Sequence, residues 1–155
     1  MWIHPFESAA RILVEPAAIE KILEFRQNQA DKTEAGGILL GLRRENHLHI
    51  VDATTPKPAD RRSLFRFFRR DRYHQNFAIQ QWKESGALVD YLGEWHTHPE
   101  TSPSPSTIDL SEWRQICRRE PIPMVFMILG MDSSLWVGVG INDIVLEAKN
   151  QDKTI

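Results

Sequence analysis

Cysteine is almost missing from this chain: Cys117 is the only one among 155 residues. An intramolecular disulfide and a Cys-rich zinc cluster are therefore excluded, and a reducing, cytoplasmic setting is the simpler expectation. Long apolar runs are missing too. The longest, Met124–Leu129, falls far short of the roughly 20 residues that cross a bilayer. Met1 to Glu15 contains no basic stretch followed by an apolar one, so neither secretion nor membrane insertion is expected. No charge sign dominates: 19 Lys and Arg against 21 Asp and Glu leave −2. A global field that would steer nucleic acid or membrane phosphate is absent, and any basic surface must be local. The 8 glycines and 9 prolines follow no period, and no internal repeat is visible, which excludes collagen-like, low-complexity and solenoid classes.

What remains is an ordinary globular composition, 41% hydrophobic and 26% charged, at a length typical of one domain. Pro16–Gln29 opens with proline and spaces Ile19, Ile22 and Leu23 as an amphipathic helix does. Glu34–Leu42 and His47–Ala53 are apolar runs across a polar turn, a hairpin pattern. The spacing further predicts a loop at Thr54–Asp60, a helix from Asp71 to Ser85 stopped by Gly86, and a strand over Leu88–His98. A stiff loop follows at Pro99–Pro105, then a helix at Ser106–Arg119 with a serine N-cap, then strands at Met124–Leu129 and Leu135–Ile141. Residues 1–145 read as one α/β domain with a mixed sheet flanked by helices, and 146–155 as a polar C-terminal tail.

Three features converge within Gly93–Asp109. His96 and His98, two apart on a strand, send both imidazoles from one face while Thr97 points away. The proline-rich loop returns the chain at a fixed angle, and Asp109 lies one turn into the next helix beside Ser106. Three N/O ligands with a fourth position left for water form the layout of a catalytic zinc site. His47-Leu48-His49 is an internal control, a second His-x-His with no acid at useful spacing, since Asp52 has the parity of Leu48 and Ile50. That pair is expected on an exposed strand face without metal. Glu94 shares the parity of His96 and His98 and is read as a surface charge, with the orienting of an imidazole as the other option. Trp95 and Trp113 are read as core or groove lining.

Together with Glu34 and the Gly36–Gly41 run Gly-Gly-Ile-Leu-Leu-Gly, the pattern His96-Thr97-His98, seven residues from Pro99 to Pro105, then Ser106-x-x-Asp109 resembles the JAMM signature of the JAB/MPN/Mov34 metallopeptidases. The order of predicted elements over about Ile3 to Ile141 is similar to the MPN fold. Ala53-Thr54-Thr55-Pro56-Lys57-Pro58-Ala59-Asp60 and Phe67-Phe68-Arg69-Arg70-Asp71 look most like a compact prokaryotic branch of that family. The resemblance implies that His96, His98 and Asp109 hold Zn²⁺ and that Glu34 is the general base. It implies that Ser106 donates to the oxyanion, with helix capping as its plainer role. It also implies a cytoplasmic isopeptidase acting on an extended C-terminal tail, either of a ubiquitin-like protein or of a nucleotidyltransferase conjugated in bacterial anti-phage defence. Competing functions are a non-catalytic MPN-type binding module and an amidase for a sulfur-carrier or small-molecule amide.

One dense basic run, Arg61, Arg62, Arg66, Arg69, Arg70 and Arg72, interleaves with Leu64, Phe65, Phe67 and Phe68. Such a mixture suits nucleic acid, but the negative net charge and lack of a recognised binding motif weigh against that partner. The preferred reading is a half-buried strand whose arginines, Arg69 and Arg70 above all, line a groove for the substrate tail.

Overall fold

A computed structural model describes residues 1–153; Thr154 and Ile155, the end of the expected tail, lie outside the described residues. The strands are β1 (Trp2–Ile3), β2 (Arg11–Val14), β3 (Gly36–Arg44), β4 (His47–Ala53), β5 (Arg61–Arg62), β6 (Phe67–Phe68), β7 (Asp90–Thr97), β8 (Met124–Leu129), β9 (Leu135–Ile141), β10 (Ile144–Glu147) and β11 (Lys149–Asn150). The helices are α1 (Pro16–Leu23), α2 (Arg72–Glu84) and α3 (Thr107–Arg119). Nine strands form one mixed sheet in the order β10-β9-β8-β7-β3-β4-β2-β1-β11, and β5 and β6 pair as a separate hairpin. Within the large sheet only β2–β4 and β7–β8 run parallel. The expected single α/β domain, mixed and mostly antiparallel, is the fold observed.

Strand β8 shows why the sheet is central. All six of its residues are buried, because helices and curled sheet cover both faces. Val125, Met127 and Leu129 join a core with Ile12, Ile50 and Ala18 and Ile22 of α1. Met124, Phe126 and Ile128 face the other way, against Trp113, Ile116 and Cys117 of α3. Trp113 stacks on Phe126 at 4.6 Å and on Trp136 at 5.5 Å between ring centroids, which fixes α3 and with it Asp109. The helix sits close because β9 carries Gly140, where a Cβ would stand 2.5 Å from the Cys117 sulfur. Burying each of these large side chains contributes about 1.5–3 kcal/mol.

Several boundaries differ from expectation. Helix α1 ends at Leu23, not Gln29, because Gln27 turns inward: its amide donates to Lys32 O and Leu64 O and accepts from Thr97 Oγ1. The alternation in β4 slips where Leu40 pairs with Asp52 but Gly41 with Ile50. Ala53, rather than Asp52, therefore joins Leu48 and Ile50 in the core, and Asp52 pairs with Lys21. The segment read as a polar tail folds instead. Ile144–Glu147 forms a hairpin with β9, and Lys149–Asn150 pairs with β1 at the opposite edge. Only Ala148, buried in the core, separates β10 from β11, so the sheet curls until its two edges meet. Among the described residues no helix is long and apolar enough to cross a membrane.

Candidate active site

The site is built where β7 ends and α3 begins. His96 and His98 lie buried on one face at the end of β7, while Thr97 between them points the other way, donates to Gln27 Oε1 and accepts from Ala35 N. Strand β3 runs antiparallel beside β7 with Gly36 opposite His96, so Glu34, two residues earlier, comes level with His98. The Gly36-Gly37 pair allows close approach by the protein itself: a Cβ on Gly36 would stand 2.6 Å from the Phe67 ring, and one on Gly37 would stand 2.1 Å from Thr54 O. Glu34 is held by its backbone, N donating to Ser63 O at 2.7 Å and O accepting from Arg62 Nε at 3.0 Å.

Three atoms form a nearly equilateral triangle. His96 Nε2 and His98 Nε2 are 3.0 Å apart, and Asp109 Oδ2 lies 3.3 Å from the first and 3.1 Å from the second. Ligands held about 2.0–2.1 Å from a tetrahedral zinc are about 3.3–3.4 Å apart. The triangle therefore fits a tetrahedral metal face with one position open. A Glu34 oxygen lies within 4.8 Å of both histidine nitrogens, a looser set than the triangle and one that leaves room for a water beside it.

Electrostatics separate the two acids. Burial pushes the Glu34 carboxyl up to about 7 against the opposing pull of His96 and His98. Burial also disfavours charge on Asp109, but hydrogen bonds with His96 and His98 prevail and hold its carboxyl well below the usual range. Burial lowers His98 in turn, and contact with Asp109 reverses this to a net rise. One carboxylate, Asp109, is thus held in its charged form, and the other, Glu34, changes protonation near neutral pH.

Ser106 completes the ring around the site. It caps α3 in a full capping box, tighter than its loose sequence match suggests: Ser106 Oγ accepts from Asp109 N at 3.0 Å, and Ser106 N donates to Asp109 Oδ2 at 2.8 Å. Capping uses a lone pair of the hydroxyl and leaves its proton available to a substrate oxygen.

Two clefts meet here. One, of about 310 Å³, runs past Phe65, Arg66, Pro99, Ser106 and Ile108; the other, of about 230 Å³, runs past Phe68, Arg69, Glu94, His96 and Trp113. Glu34, Phe67, Asp109 and Glu112 line both.

Residues 15–139 match the family model described as prokaryotic homologs of the JAB domain. The chain belongs to the prokaryotic JAB family. Similar relatives include a CD-NTase/cGAS isopeptidase from Escherichia coli strain TW11681, 33% identical over 152 residues that cover 97% of this chain and 94% of that one. Another CD-NTase/cGAS isopeptidase, from Pseudomonas aeruginosa strain BWHPSA011 / Pa011, is 36% identical over 119 residues, 76% of this chain and 75% of the relative. The solution structure of protein DSY2949 from Desulfitobacterium hafniense shares the fold, with a TM-score of 0.62, 21% identity and 88% of each chain covered.

This JAB domain places the sequence-predicted residues unequally. Glu34, His96, His98, Ser106 and Asp109 come together. His47 and His49 do not join them: His47 Nδ1 accepts from Arg11 N at 3.0 Å and His49 pairs with Glu15 at 2.5 Å. Trp95 and Trp113 are buried, as expected. Glu94 is no free surface charge; it is bound by Arg69 through two guanidinium nitrogens. Arg69 lines a cleft, whereas the Arg70 guanidinium lies 5.8 Å from the Phe68 ring. Arg66 stands nearer the acids, paired with Glu112 at 2.8 Å, and its charge lowers Glu34.

Sequence reasoning missed Glu100. Its Oε1 lies 2.9 Å from His98 Nδ1, an arrangement that fixes the ring with Nδ1 toward Glu100 and Nε2 toward His96 and Asp109. The loop carrying it is pinned by Met131 N donating to Glu100 O and by Ser134 Oγ donating to Thr101 O. Only an acid two residues past His98 hinted at this. Glu100→Ala is expected to weaken metal binding by about 10–100-fold, with Glu100→Gln recovering most of the loss because its carbonyl still accepts. Competition with a chromophoric chelator measures this, and unchanged affinity in the alanine variant sinks the assignment.

Proposed function

We propose that this JAB domain is a zinc-dependent isopeptidase that cuts the amide bond joining the C-terminal tail of a conjugated protein, a CD-NTase, to its partner. The observation that carries the reading is the 3.0–3.3 Å triangle of His96, His98 and Asp109 with Glu34 beside it. The names of the relatives support the substrate and, through it, a role in bacterial anti-phage defence. The lone buried cysteine agrees with a cytoplasmic setting.

When bound, the zinc supplies Lewis acidity, polarising the scissile carbonyl and acidifying water. Glu34 takes the proton of the attacking water and later delivers it to the leaving amine. Ser106 donates its hydroxyl to the oxygen that gains charge. An extended tail fits between the Phe67 hairpin and the stiff Pro99–Pro105 loop, adding main-chain hydrogen bonds to the free edge of the β5–β6 hairpin, so small residues precede the scissile bond. Arg69 and Arg70 act on the tail through charge. Neutralising both is expected to raise KM more than it lowers kcat, most at low salt.

The decisive assay compares a folded CD-NTase joined through its C-terminal tail to a lysine of a carrier protein with unfolded casein. Cleavage of the conjugate alone is expected. Equal activity on both, or an inert zinc-loaded enzyme, would falsify the proposal.

Ser106 has its own test. Removing an oxyanion donor lowers kcat by about 10²–10³-fold, whereas losing the N-cap costs about 1 kcal/mol. Ser106→Gly separates the two, because glycine caps nearly as well as serine. Its kcat is expected to fall while the melting temperature stays close to that of the parent; a normal kcat confines Ser106 to capping.

A further inference from the structure

Away from the metal triangle, Thr54, His74 and Asp60 form a buried chain that the chemistry above does not use. The His74 and Asp60 side chains are wholly shielded from solvent. His74 Nδ1 lies 2.6 Å from Thr54 Oγ1, and Nε2 lies 2.7 Å from Asp60 Oδ2. Asp60 can only accept, so His74 carries its proton on Nε2, and Nδ1 accepts from the Thr54 hydroxyl. That hydroxyl in turn accepts from Ile38 N at 2.9 Å.

At its other end the chain gathers backbone. Asp60 Oδ1 accepts from Arg70 N at 2.7 Å and from Asp71 N at 2.9 Å, and Oδ2 accepts from Lys57 N at 2.9 Å. Asp71 returns the tie by accepting from Ala59 N at 3.0 Å. Both ends of the segment between Asp60 and Arg70 are therefore clamped to one carboxylate, and through His74 and Thr54 to strand β3 of the large sheet.

What hangs from this clamp is the β5–β6 hairpin. It has two paired positions, Arg61 with Phe68 and Arg62 with Phe67, too few to be stable alone. Yet Ser63 O and Arg62 Nε in that hairpin hold the backbone of Glu34, and its Phe67 ring covers Gly36.

We propose that Asp60 and His74 are positioning residues for the reaction: with side chains wholly shielded from solvent, they anchor the hairpin that fixes Glu34. The mechanistic half rests on Glu34 as the base; the anchoring half does not. The test uses full-length, metal-loaded protein with Asp60→Asn and, since a buried carboxylate that gathers three backbone amides is removed there, the gentler Thr54→Val, which cuts only the link to the sheet. Amide exchange is expected to quicken about tenfold over residues 61–68 and at Glu34 N, as loss of one buried hydrogen bond allows, while β8 keeps its protection. In the same variants kcat is expected to drop about 10–100-fold with zinc affinity unchanged, and Asp60→Asn is expected to add no loss in a Glu34→Gln background.

Faster exchange across the whole sheet marks a merely structural role and overturns the proposal. So does a loosened hairpin with full kcat. Retained activity in Glu34→Gln alone would overturn the base assignment, leaving the exchange data to judge the anchor by itself.

Discussion

Glu34→Gln is expected to bind zinc like the parent and to lose turnover by about 10²–10⁴-fold, the share that a positioned general base supplies. Glutamine keeps the size and the backbone contacts to Ser63 and Arg62 but cannot take a proton. Metal retention is expected because Asp109, not Glu34, closes the tight triangle with the histidines. Zinc content and single-turnover cleavage on the same sample check both halves; lost metal would make Glu34 a ligand, and retained turnover would move the base elsewhere, Glu94 being the first candidate.

The pH dependence follows from the same carboxyl. Activity needs Glu34 deprotonated, so it rises with pH through the Glu34 pKa. In metal-free protein burial sets that value at about 7, and a bound dication pulls it lower, so the acidic limb lies below 7 and vanishes in Glu34→Gln. Stability runs the opposite way. A carboxyl raised on folding favours the protonated form, so the unfolded chain releases more protons and metal-free protein loses stability between pH 4.5 and 7. The loss amounts to about 3 kcal/mol for the 4.5 to 7 rise. Glutamine removes this penalty, and metal-free Glu34→Gln is expected to melt higher than the parent at pH 8.

How far the sequence revealed the site depends on the range of each contact. His96, His98, Ser106 and Asp109 were legible because strand parity, a stiff loop and a helix start set their relation within fourteen residues. Glu34 was legible only through family resemblance, since its place level with His98 depends on a β3–β7 register across sixty residues. The strand parity of Glu94 was right, but its partner Arg69 came from a hairpin that the arginine run did not announce. Asp60 and His74 were not legible at all, since a buried polar pair leaves no periodic trace. The fold class was readable from alternating apolar runs. The curl of the sheet was not, because β10 and β11 are short and the residues from Glu147 onward are polar enough to resemble a tail.

Replacing His96, His98 or Asp109 by alanine should remove metal and activity together, with the cleavage rate falling at least about 10³-fold as the several kcal/mol of charge stabilisation leave with the ion. The same loss has a readout without substrate. A ligand that binds only the folded state stabilises it by about 4 kcal/mol at a thousandfold excess over Kd, so zinc is expected to raise the melting temperature of the parent and to leave these three variants unmoved. Asp109→Ala has a second cost, because Asp109 also supplies the carboxylate of the capping box, so it should melt below the two histidine variants even without metal. His47→Ala and His49→Ala are the matched controls, a second His-x-His on a strand. Their rings bond to Arg11 N and Glu15, and removing one such hydrogen bond, exposed at His47 and partly buried at His49, costs about 1 kcal/mol, with zinc-induced stabilisation and cleavage intact. A flat zinc response in either control would place the metal on β4, away from Glu34.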